Sequence, residues 1–282
     1  MSGPQTRLTR VRVAERSAGA KPTQDRTVLL PDAVAVLDGA SAPDPSERDG
    51  GWYAEQLATE LAARLADRRL DLTTVLADAI AAVTSAYRLV PGSSPSSTVT
   101  LLRWDADRVD GLVLGDSPLV VFTGDTAEVV VDERLNGVAP GQRVAYHDRL
   151  ARGGGYDEAH RELLRALVGE QRRHRNRPDG YWIAEATPVA AGQALTRSWP
   201  AGAVTAALLA SDGVSRGIGR AVPDWAAALR LIEDEGPNAL LDAVRAPEQA
   251  DPDGRHWPRS KPYDDQALIA VTFLDAESVS EY

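Results

Sequence analysis

Apolar positions along this chain follow two periods. Near the start, Val11-Arg-Val13, Thr27–Leu30 and Ala33–Leu37 are short strand-like runs, the last two predicting a hairpin through Pro31-Asp32. After a polar loop over 40–51 the period becomes helical. Trp52, Leu57, Leu61 and Leu65 share one face, and Leu76, Ile80, Val83 and Tyr87 share one in the next segment. A loop at Pro91-Gly-Ser-Ser-Pro-Ser is followed by strand-like Thr98–Trp104, Val109–Leu114, Leu119–Phe122 and Glu128–Val131. Connections this short predict antiparallel meander pairing rather than a βαβ wind.

The stretch Gly137–Arg177 breaks the pattern. It is polar, contains Gly153-Gly-Gly155, predicts a helix over Asp157–Gln171 and ends in the basic run Arg172-Arg-His-Arg-Asn-Arg177. Such a run is read first as a solvated helix end; if it faces a cleft, it favours acidic or phosphorylated partners. Strands are predicted again at Tyr181–Glu185, Ala194–Ser198 and Ala203–Ala210. Helices follow at Pro223–Glu233 and Asn238–Arg245, and a last strand at Gln266–Phe273. No internal repeat or linker divides the chain.

Four of the apolar runs carry an aspartate beside a small residue at one end. They are Ala33–Leu37 before Asp38-Gly39, Gly111–Leu114 before Gly115-Asp116-Ser117, Ala207–Ala210 before Ser211-Asp212-Gly213, and Asp264-Asp265 before Gln266–Val271. A carboxylate at the rim of a buried strand costs several kcal/mol to desolvate unless a cation or hydrogen bonds compensate it. Two readings stand. Asp-Gly is a common turn signal, found here also at Asp49-Gly50, Asp110-Gly111, Asp179-Gly180 and Asp253-Gly254. Alternatively the four aspartates share a hard divalent cation. Asp110-Gly111 sits inside a polar–apolar alternation and reads as ordinary strand chemistry.

Composition narrows the chemistry. With no cysteine, disulfides, thiol catalysis and zinc–thiolate sites are excluded, so any metal must be held by oxygen or histidine. The four histidines, His147, His160, His174 and His256, form no His-Glu-x-x-His pair and read as solvated side chains. No Gly-x-Ser-x-Gly elbow supports a serine nucleophile. A net charge of −10 disfavours nucleic acid as a partner. No apolar stretch has the length of a membrane span and the start lacks a signal-peptide core, so a cytoplasmic protein without membrane association is expected.

Taken in order, Gln24-Asp25, Asp38-Gly39, Ser97-Thr98, Gly115-Asp116-Ser117, Ser211-Asp212-Gly213 and Asp264-Asp265 resemble the motifs of the metal-dependent serine/threonine protein phosphatases of type 2C, in their compact bacterial form. The resemblance runs from about Gln24 to Val271. It implies an α+β fold, a four-layer αββα sandwich of two antiparallel sheets flanked by helices. It implies one domain over 9–275, with a variable flap at about 137–177 and tails at 1–8 and 276–282.

It also implies a phosphoprotein phosphatase that hydrolyses phosphoserine and phosphothreonine with two or three Mn²⁺ or Mg²⁺ ions, its partner being the phosphorylated protein. Asp38 would bridge two ions, with the Gly39 carbonyl completing one sphere. Asp212 and Asp264 would ligate one of them, Asp25 would contact the second or its waters, and Asp116 would help hold a third, weaker ion. Ser97 and Thr98 would support the site.

Several positions depart from the family pattern. Gln24 stands where a glutamate is usual, and Ala20 where a phosphate-binding arginine is usual, leaving Lys21 as the nearest cation and the expected phosphate contact. Asp38-Gly39-Ala40-Ser41 lacks the second glycine, and no histidine follows to act as general acid. Two further functions are therefore weighed: a low-activity regulatory or binding protein with this fold, and a hydrolase of small phosphate monoesters.

Overall fold

The computed structural model describes residues 8–41 and 48–274. The chain ends read as tails and part of the loop after Asp38, over 42–47, lie outside them, apart from Leu8.

Among the described residues, ten strands form two five-stranded antiparallel sheets. One sheet contains β2 (Arg26–Leu30), β3 (Ala33–Leu37), β4 (Val99–Trp104), β5 (Arg108–Leu114) and β8 (Leu195–Pro200), in that order. The other has β1 (Thr9–Arg16), β10 (Gln266–Phe273), β9 (Ala206–Ala210), β6 (Leu119–Thr123) and β7 (Thr126–Val130), in that order. Helices α1 (Gly50–Leu65) and α2 (Leu72–Tyr87) cover the first sheet. Helices α6 (Trp225–Glu235) and α7 (Pro237–Ala250) cover the second. A one-turn helix, α5 (Asp212–Ser215), follows β9.

The layers explain why the apolar runs are unbroken. In β3, Ala33, Ala35 and Leu37 face α1 and α2, while Val34 and Val36 face the opposite sheet. In β9, Ala207 and Leu209 join the inter-sheet core, while Leu208 and Ala210 pack on α6 and α7. A strand covered on both faces has no solvent side to place polar residues on. The helices start where aspartates cap them: Asp49, Asp71 and Asp224 each accept a backbone N–H of the first turn of α1, α2 and α6. Asp49-Gly50 is thus a helix start, not a hairpin turn.

The segment from Arg134 to Ile183 forms a lobe with its own small core. Helix α3 (Pro140–Ala151) was not foreseen in the sequence. It buries only Tyr146 and Leu150, and its start has proline in the first turn instead of a capping side chain, so neither periodicity nor a cap marked it. Helix α4 (Glu158–His174) follows its expected position, with Asp157 as the cap.

Two expectations are corrected in this lobe. Tyr181–Glu185 is not a strand; it makes only isolated bridges, such as Ala184 to Ser97. Its alternation is real but serves two cores, Tyr181 and Ile183 packing in the lobe while Trp182 and Ala184 pack under α1 and α2. His160 is buried, not solvated, with Nε2 2.9 Å from the Ser260 carbonyl and its ring edge-on to Tyr146 and Tyr156.

Candidate active site

The motif aspartates meet at one end of the sandwich because of strand direction. β3 and β5 run the same way, so Asp38 and Asp116 follow at the same edge; Asp212 leaves β9 beside the start of β10, which Asp264 and Asp265 precede. Glycines permit the approach. A Cβ on Gly39 would stand 2.5 Å from the Gly50 carbonyl carbon, and one on Gly213 would stand 1.9 Å from the Asp265 oxygen. The glycine after each aspartate therefore answers a close backbone contact between elements, not a hairpin.

Asp38 is held by its backbone. Its carbonyl accepts from the Thr98 N–H at 2.9 Å and from Ser97 Oγ at 3.0 Å, and its N–H donates to Thr98 Oγ1 at 3.2 Å. Thr98 Oγ1 in turn lies 2.7 Å from Ser117 Oγ. The Ser-Thr pair thus holds the Asp38 backbone in place. Burial, and after it the charges of Asp212, Asp25, Asp264 and Asp116, push the Asp38 carboxyl well above the usual range. Asp25 is pushed up in the same way, first by burial and then by Asp212, Asp265 and Asp264, with Ser211 opposing. It is 1% exposed, and its Oδ2 has no hydrogen-bond partner among the described residues.

The other aspartates are engaged by cations that the motifs did not reveal. Arg216 Nη2 lies 2.6 Å from Asp212 Oδ2 and 3.4 Å from Asp116 Oδ2. Lys261 Nζ donates to Asp264 Oδ1 at 2.7 Å and to Ser41 Oγ at 2.8 Å. One spacing is a helical signal, since Arg216 is four residues after Asp212 across α5; Lys261, three before Asp264, lies in a loop where spacing carries none. Lys261 is carried on a loop knotted by Asp251, which accepts the backbone N–H groups of Arg255, His256 and Trp257 and pairs with the buried Arg259. Asp265 is a staple, accepting the N–H of Ala18 at 2.6 Å and of Gln24 at 2.7 Å.

That staple holds the ends of the loop carrying Lys21 and leaves Lys21 exposed. Lys21 does not line the cleft above the aspartates, so the structure does not bring it to the site as expected. The cleft, about 370 Å³, runs from Asp38, Asp116, Asp212 and Asp264 up a wall of the lobe that includes Arg143, Arg161 and Arg165. The Arg172–Arg177 run is not one patch. Arg172, Arg173 and Arg177 are exposed, while Arg175 is nearly buried, with Nη1 3.1 Å from Glu185 Oε1 and from the Ser94 carbonyl.

Among the described residues, no three carboxylate or imidazole groups are arranged to hold a metal ion as they stand. Asp116, Asp212 and Asp264 are each in contact with Arg216 or Lys261. The chemistry of the donors nevertheless suits a hard cation at the Asp25–Asp38 end, where a buried carboxylate oxygen lacks any partner.

No family model matches the sequence, and no curated protein matches it. Solved structures do. The serine/threonine phosphatase PstP/Ppp of Mycobacterium tuberculosis is 16% identical, with a TM-score of 0.55 over 95% of this chain and 99% of that chain. Stp1, a serine/threonine phosphatase of Staphylococcus aureus, is 13% identical, with a TM-score of 0.56 over 98% of this chain and 100% of that chain. A structure of the PstP catalytic domain in complex with two manganese ions is 14% identical, with a TM-score of 0.55 over 95% of this chain and 99% of that chain. The likeness establishes the fold: two antiparallel sheets between helical layers, as in the type 2C phosphatases.

Proposed function

We propose that this chain is a metal-dependent phosphatase of phosphoserine and phosphothreonine in proteins. The observation that carries the reading is the convergence of Asp25, Asp38, Asp212 and Asp264 from separate segments, with Asp25 Oδ2 buried and unpartnered. Asp25, Asp38 and the Gly39 carbonyl would hold one divalent ion; Asp212 and Asp264 would contribute to a second once their cations yield. Bound divalent ions would supply a water acidified toward neutral pKa and positive charge facing the phosphoryl oxygens.

The chain's own residues do the rest. Ser97 and Thr98 fix the Asp38 backbone, so its carboxylate is positioned before substrate arrives. Lys261 and Arg216 border the cleft and take the phosphate-binding role expected of Lys21, as donors to phosphoryl oxygens. Arg143, Arg161 and Arg165 on the lobe wall, the last two sharing Glu158, would favour an acidic sequence around the phosphorylated residue. Phosphate release from a phosphothreonine peptide, with and without Mn²⁺, is the test. No metal-dependent release would leave the binding-protein reading, and faster release from small phosphate esters than from peptides would point to a metabolite hydrolase.

A further inference from the structure

We propose that Arg216 takes the place of a divalent ion between Asp116 and Asp212, so that this pair of carboxylates binds metal only when the guanidinium is displaced from between them. The inference rests on the reading that the cluster takes divalent ions.

Two segments remote in sequence deliver the carboxylates, Asp116 from the turn between β5 and β6 and Asp212 from the start of α5. Both are met by the same nitrogen, Nη2 of Arg216, at 3.4 and 2.6 Å. The arginine is fixed locally too, since its backbone N–H donates to the Asp212 carbonyl at 3.0 Å across the single turn of α5. The acid and its counter-ion therefore arrive as one unit. A guanidinium keeps its charge at any pH compatible with folding, so it cannot yield the site by losing a proton, as a histidine or a lysine could.

One guanidinium balances only one of two carboxylates, and the Arg216 side chain is 48% exposed, so a dication has both a reason to compete and room to displace it. At the Asp25 end, Oδ2 is buried and has no hydrogen-bond partner among the described residues. Divalent ions should accordingly load first at the Asp25–Asp38 end and reach Asp116–Asp212 only by displacing the guanidinium.

The test is a calorimetric Mn²⁺ titration of the full metal-free chain, with bound ions counted by native mass spectrometry. It compares wild type, Arg216→Gln, Arg216→Lys and the double variant Arg216→Gln with Asp116→Asn, each checked by thermal melting. Arg216→Gln should take up one more ion than wild type, or bind its weakest ion about tenfold more tightly or better. Asp116→Asn should cancel that gain, and Arg216→Lys, which keeps a positive charge, should stay near wild type. Identical isotherms for wild type and Arg216→Gln, including no uptake by either, would overturn the proposal, as would a gain that survives Asp116→Asn. Uptake by Arg216→Gln but not by wild type would uphold it while removing the metal-dependent phosphatase reading.

Discussion

The two ends of the aspartate cluster solve the same electrostatic problem in different ways. At one end Asp25 and Asp38 are crowded by other carboxylates and raised well above the usual range, chiefly by burial. At the other, Asp212, Asp116 and Asp264 are met by Arg216 and Lys261, although burial still raises the Asp212 carboxyl to about 6. A buried carboxylate without a cation is a costly arrangement that persists only where something else is gained, whereas a paired one is compatible with mere structure. The unpaired end is therefore where function is to be sought first, and the paired end is where it can be tuned.

Asp38→Asn breaks the comparison most severely. It keeps shape but removes the central charge, so phosphopeptide turnover should fall by orders of magnitude and Mn²⁺ binding should weaken. The metal-free protein should melt higher, because carboxylate repulsion is relieved. A lower melting temperature together with unchanged Mn²⁺ affinity would show that the carboxylate is not the strained group the geometry implies.

A second test concerns pH at the paired end. Burial raises the Glu248 carboxyl to about 7, against the opposing charges of Arg245 and Arg259. A carboxyl that keeps its proton longer folded than unfolded contributes stability at low pH. That contribution is lost as pH climbs from the ordinary glutamate range through about 7. Chemical denaturation across this window should show stability declining by at most about 3 kcal/mol from this group. Glu248→Gln should flatten the decline, and a profile as steep as wild type would exclude Glu248 as its source.

Lys261→Met removes the cation beside Asp264 and should raise KM for a phosphopeptide several-fold, with less effect on kcat, if the ammonium contacts ground-state phosphate. Equal loss in both would place its role elsewhere. Asp212→Asn sharpens the contrast with Asp38→Asn through stability alone. Burial raises the Asp212 carboxyl to about 6 against the opposing charge of Arg216, so the metal-free protein should melt higher here too, but by less than with Asp38→Asn because the Arg216 contact is lost. The unequal gains of the two asparagine variants, read by thermal melting, are the sharper form of the comparison. Lys21→Ala should change neither kcat nor KM measurably, since the side chain is exposed and outside the cleft; a raised KM would restore it to the site.

Much of the fold was legible because burial on both faces forces unbroken apolar strands, and amphipathic helices keep one stripe. β3, β4, β9 and β10 stand close to where their runs were read, as do α1 and α2. The misreadings have physical causes. Helix α3 buries too few residues to leave a period, and Tyr181–Glu185 alternates between two cores rather than between core and solvent.

For the site, the aspartates and their order along the chain could be read directly, because a carboxylate at the end of an apolar run is conspicuous. Which cations meet them could not. Lys21 is close to Asp25 in sequence, yet the Asp265 staple leaves it outside the cleft. Lys261 reaches Ser41, 220 residues away, because a loop knotted by Asp251 carries it there. By itself, then, the sequence determined most of the strands and helices through local periodicity and the aspartates at the ends of apolar runs, while the layers were what the family resemblance implied. Only the tertiary structure decided which carboxylates are compensated and which remain unpaired, because charge compensation depends on distances of a few ångströms between segments that the chain order keeps far apart.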